Sequence, residues 1–554
     1  MESSQLPGCG IPRGSDNTKV LGGIVMENKV ESTMETEASV KNGVTRMILS
    51  VIVIAINVVF IILLLTKLSR HAAWIDILLR VISLFLVLYL YNKPGTSSMK
   101  MPWVILILVA PILGTGLYLI VGLNGGTKAM RKRYRNIDAE LMPLLTKGEA
   151  GAAAEATEAA LTAKSERWAT LSNYLTHNIG YPAYSNTDIV YYDDATKGLE
   201  AQKADLRRAE RFIFMEYHAI EDKESWHGLQ DILEERARAG VEVRVFYDDM
   251  GSIGFINTDF IERLEKVGIK CRVFNPFKPG LNVFLNNRDH RKITVIDGKV
   301  GFTGGYNIAN EYFNLTHPFG MWKDTGVRLE GDAVRSLTVT FLENWNAADF
   351  NGSRYDLDFN KYLPRLSYTA QERAFVQPYA DSPLDDQRVG EEVYISLANK
   401  ANHYCWFITP YLILTDEMIH ALGLAAKRGV DVRVITPGIP DKKMVYEVTR
   451  SYYHSLTLNG VRVFEWTPGF CHCKMCVTDD EAAVCGTINL DYRSLYHHFE
   501  NACLYIDCQA VLDTKADFER TFPECTEVTE MYNTGRNRFM KIKQLLLRLL
   551  SPLL

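Results

Sequence analysis

The chain has 554 residues, 47% of them apolar, and sets 61 lysines and arginines against 66 aspartates and glutamates for a net charge of −5. That length exceeds what one hydrophobic core holds, so two or more folded units are expected. The near-balanced charge excludes a global basic field of the kind that binds nucleic acid. Ten cysteines, five of them between Cys471 and Cys503, lack the regular spacing of a secreted disulfide framework and point to a reducing compartment.

Residues 1–46 show no apolar periodicity and read as a disordered tail. Their mixed, acidic-leaning composition does not suit a cleaved leader, so the first apolar stretch is expected to stay as an anchor. Residues 47–126 are expected to be a transmembrane region with spans at about 47–66, 72–91 and 103–123, each long enough as a helix to cross a hydrocarbon core of about 30 Å. The second carries Asp76 and Arg80, four apart and able to pair on one helical face. The third starts after Pro102 and contains Pro111 and Gly114. Lys128, Arg131, Lys132, Arg133 and Arg135 follow it, and such a cluster belongs on the cytoplasmic side. Three spans then put the N-terminus outside; Lys67 and Arg70 agree with that, while Lys93 and Lys100 run against it. Residues 127–169 are read as a basic segment and linker, with 147–164 a surface helix or flexible joint.

From about residue 170 apolar runs alternate with amphipathic stretches, the pattern of α/β folds, and the alternation occurs twice. A strand at 211–217, a helix at 226–239 and strands at 240–247 and 269–274 are repeated as a strand at 404–410, a helix at 416–427 and strands at 429–435 and 460–464. A duplicated α/β unit explains this, over 170–360 and 361–535.

Each half carries one constellation at one spacing: His290, Lys292, Asp297, Gly304 and Asn307 in the first, His472, Lys474, Asp479, Gly486 and Asn489 in the second. Two residues is the strand repeat, so histidine and lysine share a face. Asp297-Gly298, echoed by Asp479-Asp480, is a hairpin turn signal that returns the chain and brings the asparagine back toward the histidine. Both aspartates then lie at the far end of a hairpin, better placed for turn and hydrogen-bonding roles than for direct catalysis. An ammonium and an amide suit a phosphate, and two histidines facing one phosphorus supply a nucleophile and a proton donor. Cys471, His472, Cys473 and Cys476 could be written as zinc ligands, but on a strand the first two cysteines face away from the histidine, and buried packing is the better reading.

The paired motifs resemble the H-x-K-x4-D signature of the phospholipase D superfamily, with its G-[GST]-x-N continuation. With FIFMEY, VRVFYDDMGS, GGYNIANEY, MWKDTGVRLEG, ITPYL and RLLSPLL, the chain from Met47 onward resembles bacterial cardiolipin synthases. Departures are the long N-terminal tail and the cysteines of CHCKMC. The resemblance implies transmembrane helices followed by two phospholipase D-like α/β/α domains related by a pseudo-two-fold axis, with the active site at their interface. It implies a cell-membrane, multi-pass transferase with cytoplasmic catalytic domains, acting on phosphatidylglycerol and cardiolipin in the bilayer without nucleic acid, cofactor or metal. One phosphatidylglycerol would be transferred to another through a phosphohistidine, with His290, Lys292, Asp297, His472, Lys474 and Asp479 as catalytic set, Asn307 and Asn489 joining the lysines on phosphate, and His290 favoured as nucleophile.

Each histidine needs an acid to fix its tautomer. Asp324 follows His290 by 34 residues and Glu500 follows His472 by 28, and the resemblance places orienting carboxylates at about these points. Glu216 is a weaker polar-site candidate. Residues 536–554 interleave basic and apolar side chains as an amphipathic helix, fit for an anionic bilayer or for the protein's own surface. The rival functions are a phospholipase D that passes the intermediate to water, transfer to another alcohol such as serine, a nuclease, and a catalytically dead scaffold.

Overall fold

The computed structural model describes residues 73–93, 95–119, 127–276, 287–348, 356, 358–385 and 387–534, with isolated positions before and after. The tail at 1–46, nearly all of the first expected span and most of 536–554 lie outside the described residues.

The apolar run at 72–91 folds as a helix, Ala73–Asn92. The single helix expected over 103–123 does not form. It is divided into Ser97–Val109 and Pro111–Leu117, because Pro111 cannot donate to the ladder and disfavours the α conformation at Ala110, whose ψ is 74°. The two pieces fold so closely together that a Cβ on Gly114 would lie 2.6 Å from the Ile107 backbone. Among the described residues no helix is long and apolar enough to cross a membrane. The basic cluster lies on a helix, Thr127–Leu141, held on the body by Tyr134, whose hydroxyl donates to Asn344 Oδ1 at 2.7 Å. The segment read as a joint is the helix Gly148–Lys164.

Two mixed sheets follow. The first contains β1 (Thr187–Tyr192), β2 (Phe212–Tyr217), β3 (Glu242–Asp248), β4 (Lys270–Phe274), β6 (Lys292–Ile296), β7 (Val300–Gly304) and β9 (Gly326–Gly331), with β5 (Arg288–Asp289) and β8 (Met321–Lys323) lying outside it. The second contains β10 (Phe375–Asp381), β11 (Tyr404–Ile408), β12 (Asp431–Pro437), β13 (Arg462–Trp466), β15 (Met475–Thr478), β16 (Ala482–Gly486), β17 (His498–Ile506) and β18 (Cys525–Glu527), with β14 (Gly469–Cys471) outside. The orders are β1-β9-β7-β6-β2-β3-β4 and β10-β17-β16-β15-β11-β12-β13-β18, so the halves are copies apart from the added edge strand. The parallel pairs β2/β3/β4 and β11/β12/β13 are joined by helices such as Glu224–Arg238 and Asp416–Lys427, as parallel neighbours require.

Both faces of the first sheet are covered, which is why β2 is buried along its whole length and apolar but for Glu216 and the hydroxyl of Tyr217. Phe212 and Phe214 enter a core shared with the second half, while Ile213, Met215 and Tyr217 point into a separate core under the outer helices. At the junction Asn501 of β17 donates to Thr303 of β7 at 2.8 Å. The halves also exchange short strands: β5 pairs with the start of β17, and β14 with β8.

Candidate active site

The site is built where those exchanged strands end. His290 follows β5 directly and gives its backbone N–H to Phe499 O at 2.9 Å. His472 follows β14 and gives its own to Lys323 O at 2.7 Å. Each histidine therefore stands just outside the regular strand that its lysine precedes or begins, because its backbone bonds to the opposite half.

The hairpins form as the turn signals require. Asp297 and Gly298 have φ of 55° and 69°, Asp479 and Asp480 of 54° and 60°, the doubly left-handed turn that matches strand twist. Asp297 accepts from the backbone N–H groups of Glu210, Arg211 and Phe212 at 2.8, 2.8 and 2.9 Å. Asp479 accepts from those of Asn402, His403 and Tyr404 at 2.7, 2.9 and 3.0 Å, and from Arg167 at 2.8 Å. Both carboxylates tie the hairpin tip to the start of a neighbouring strand, away from the histidines.

At the other end, each histidine meets the acid of the opposite half. His290 Nδ1 lies 2.9 Å from both oxygens of Glu500, and His472 Nδ1 lies 2.7 Å from Asp324 Oδ2. Chain spacing had set each acid with the histidine upstream of it; the structure crosses the pairs, because β5/β17 brings Glu500 to His290 and β8/β14 brings Asp324 to His472. All four side chains are buried.

The two pairs differ in what else they hold. Glu500 also accepts from Ser494 Oγ at 2.6 Å and from Thr487 Oγ1. His290, and after it the neighbouring His498, keep its carboxyl well below the usual carboxylate range despite its burial. Asp324 receives the Thr325 backbone N–H at 2.9 Å; burial pushes it up to about 7, against the pull of Lys474. The difference in hydrogen bonding begins in the motif: where the second copy has Thr487, the first has Gly305, and a Cβ there would lie 2.0 Å from Asp324 Oδ1. Burial lowers both imidazoles well below their ordinary value.

Lys292 donates to His290 O at 2.6 Å, and Lys474 to His472 O, with its Nζ also 2.9 Å from His472 Nε2. Burial lowers Lys292 to about 7 and Lys474 to about 8, a penalty that an incoming anion would remove. Asn307 accepts from Ala219 N at 3.2 Å and donates to Tyr312 at 2.6 Å. Asn489 is buried with Oδ1 unpartnered. Two lysines, two amides and two histidines thus converge from both halves, which suits a tetrahedral phosphorus entered from one side and left from the other. Glu216 is not among them: it is buried on β2, accepts from Asn344 at 2.6 Å, and is raised well above the carboxylate range by burial and Asp289.

The cysteines turn elsewhere, Cys473 toward Lys323 O at 3.4 Å and Cys476 toward Cys405 at 3.6 Å. Sequence reasoning missed His218 and His498, whose rings lie 5.0 and 5.4 Å from that of His290. Position 498 was legible, since it precedes Glu500 by the strand repeat; position 218 carries no such signal. It also missed Thr487 and Ser494.

The family described as "Cardiolipin synthase, PLD-like domain" matches residues 203–334 and 394–522, one block per motif. A cardiolipin synthase of Halalkalibacterium halodurans is 31% identical over 86% of this chain and 93% of its own length. The chain belongs to the cardiolipin synthase family of phospholipase D-like proteins. Cardiolipin synthase 2 of Bacillus cereus is 33% identical over 84% of this chain and 89% of that protein. An uncharacterized protein of Streptococcus mutans is 41% identical over 84% and 99%. Among solved structures, the phosphatidylserine synthase of Haemophilus influenzae shares the fold, with a TM-score of 0.50 at 15% identity over 66% of this chain and 93% of that one.

Proposed function

We propose that this cardiolipin synthase family member joins two phosphatidylglycerol molecules, releasing glycerol, through a phosphatidyl-histidine on His290. The observation that carries the reading is the unequal pair of crossed histidine–carboxylate contacts. An ionised Glu500 holds the Nδ1 proton of His290, which leaves a lone pair on Nε2 for attack on phosphorus. Asp324, pushed up to about 7, keeps a proton on the Asp324–His472 pair near neutral pH, ready for the departing glycerol oxygen. Lys292, Lys474, Asn307 and Asn489 hold the non-bridging oxygens. The His472 pair, having lost its proton, then takes one from a glycerol hydroxyl of the second phosphatidylglycerol. That oxygen attacks phosphorus and frees His290. One phosphodiester replaces another, so the exchange is close to thermoneutral and reversible. Asp297 and Asp479 act in this reading by holding the hairpins that carry the lysines.

The enzyme sits at the cell membrane in the same reading, with 47–126 as anchor and the catalytic halves cytoplasmic. Support comes from the apolar exterior of the helix Ala73–Asn92, where Trp74, Ile77, Phe85 and Leu88 are exposed, and from the basic helix after the anchor. Cysteine labelling from each side of the membrane tests this, and an N-terminus on the cytoplasmic side refutes the three-span arrangement. The described part of the C-terminal segment supports attachment to the protein itself: Arg548 donates to Ser455 at 3.2 Å and covers the Tyr452 ring at 4.3 Å.

Product analysis in phosphatidylglycerol vesicles tests the activity. Cardiolipin with equimolar glycerol, lost in His290→Ala and in His472→Ala, is the expected result. Phosphatidic acid as the main product would make the acceptor water and overturn the transferase reading.

A further inference from the structure

His498 has a side chain nine-tenths buried, yet neither ring nitrogen has a hydrogen-bond partner. Burying both without a partner costs free energy that a ligand would recover. The ring is aimed at a place where two other donors converge. It shares a strand face with Glu500, its Nδ1 lies 3.6 Å from Glu500 Oε1, and Glu500 in turn lies 2.9 Å from His290 Nδ1. One ligand atom from each of the three residues falls within 4.8 Å of the others.

We propose that His290, His498 and Glu500 form an inhibitory site for a divalent transition metal, zinc by the chemistry of its donors. Two imidazoles and one carboxylate, with a fourth position for water, are a zinc donor set. Ligands about 2.0–2.1 Å from a tetrahedral zinc stand roughly 3.3 Å apart; Glu500 lies 2.9 and 3.6 Å from the two rings and all three ligand atoms lie within 4.8 Å of one another, so rotation of the rings toward a common point completes the site. The metal is a regulator of the reaction, not a participant in it.

Inhibition follows from the tautomer. With Glu500 as partner, His290 carries its proton on Nδ1 and keeps the Nε2 lone pair. Zinc bound at Nδ1 displaces that proton to Nε2 through solvent. The imidazole stays neutral and no proton is lost overall, but the lone pair that would attack phosphorus is now an N–H bond. Extra lipid substrate does not reverse this; a chelator does. The inhibition rests on the function proposed above, whereas the binding does not.

The test uses the full chain, stripped of metal with a chelator and desalted, with Zn2+ and Co2+ as probes beside His498→Asn. Zinc is titrated against a chromophoric indicator, cobalt is followed by its visible absorption, and cardiolipin formation is measured in parallel. The expected result is one zinc per chain, a cobalt spectrum without a thiolate charge-transfer band, and turnover that falls as the site fills and returns with chelator. His498→Asn should weaken both binding and inhibition by at least about tenfold, the inhibition being read against the variant's own metal-free turnover. Equal zinc binding by the two proteins, a thiolate band, or inhibition that persists in the variant would overturn the proposal. Loss of turnover in the variant with binding unchanged would also overturn it, by making His498 a substrate contact. Absence of turnover in the unmodified chain, with binding as expected, would overturn the function and leave the site.

Discussion

Replacing Glu500 by glutamine tests the site most directly, because the side chains are nearly isosteric and only the charge and one acceptor change. Three donors face the Glu500 carboxylate: His290 Nδ1 at 2.9 Å, Ser494 Oγ at 2.6 Å and Thr487 Oγ1. An amide offers one oxygen and one N–H2 group, so at least one donor then faces another donor. If His290 Nδ1 is the one that yields, its proton moves to Nε2 and the nucleophile is lost; if a hydroxyl yields, the imidazole still loses the anion that stabilises its charged form. A carboxylate-to-amide change beside a catalytic histidine costs on the order of 10^4 in kcat, about 5 kcal/mol of barrier. Initial rates of glycerol release and cardiolipin formation would show the loss at little change in KM. Single-turnover labelling with phosphate-labelled phosphatidylglycerol should give no alkali-stable label on the protein. A melting temperature near that of the unmodified chain excludes misfolding. A rate within tenfold of the unmodified enzyme would refute the reasoning.

Raising the pH removes protons from Lys292, at about 7, and Lys474, at about 8. Both must be charged to hold a phosphodiester, so kcat/KM should fall above pH 7–8, with the limb shifted upward in kcat because bound anion favours the charged lysines; a profile flat from pH 6 to 9 would contradict this. Gly305→Ala puts a methyl 2.0 Å from Asp324 Oδ1, displacing the carboxylate from His472, and should cut turnover by about 10² or more with the fold intact, as judged by rate and circular dichroism. Asp297→Ala removes the acceptor from three backbone N–H groups, two of them open to water that partly replaces it, and should lower stability by about 1–2 kcal/mol in denaturant titration. Its turnover per folded molecule should stay within a few-fold; loss of turnover without loss of stability would make Asp297 catalytic.

The duplicated strands, the hairpins and the lysine and asparagine positions were legible because they are local: two-residue alternation, a turn dipeptide and a fixed offset decide them. The crossing of Asp324 and Glu500 was not, since linear spacing cannot say which of two similar halves an acid faces; that is set by β5/β17 and β8/β14, pairings of two and three residues with no pattern of their own. The unequal ionisation of the two acids was illegible for the same reason, as it depends on His290 and His498 arriving together beside one of them. Hydropathy placed one helix over 103–123 and missed the break, although Pro111 marked it; an average over twenty residues does not register a single missing N–H.

The crossed pairs have a consequence for how the protein is made. An emerging chain folds from its N-terminus, and the first sheet is complete at Gly331, well before Glu500 leaves the ribosome. Until then His290 has no anion to hold its proton, and Asp324 has no histidine to serve. A half-made molecule beside the membrane is therefore harmless to the lipids around it, and a truncated gene product would be inert rather than a rogue lipase.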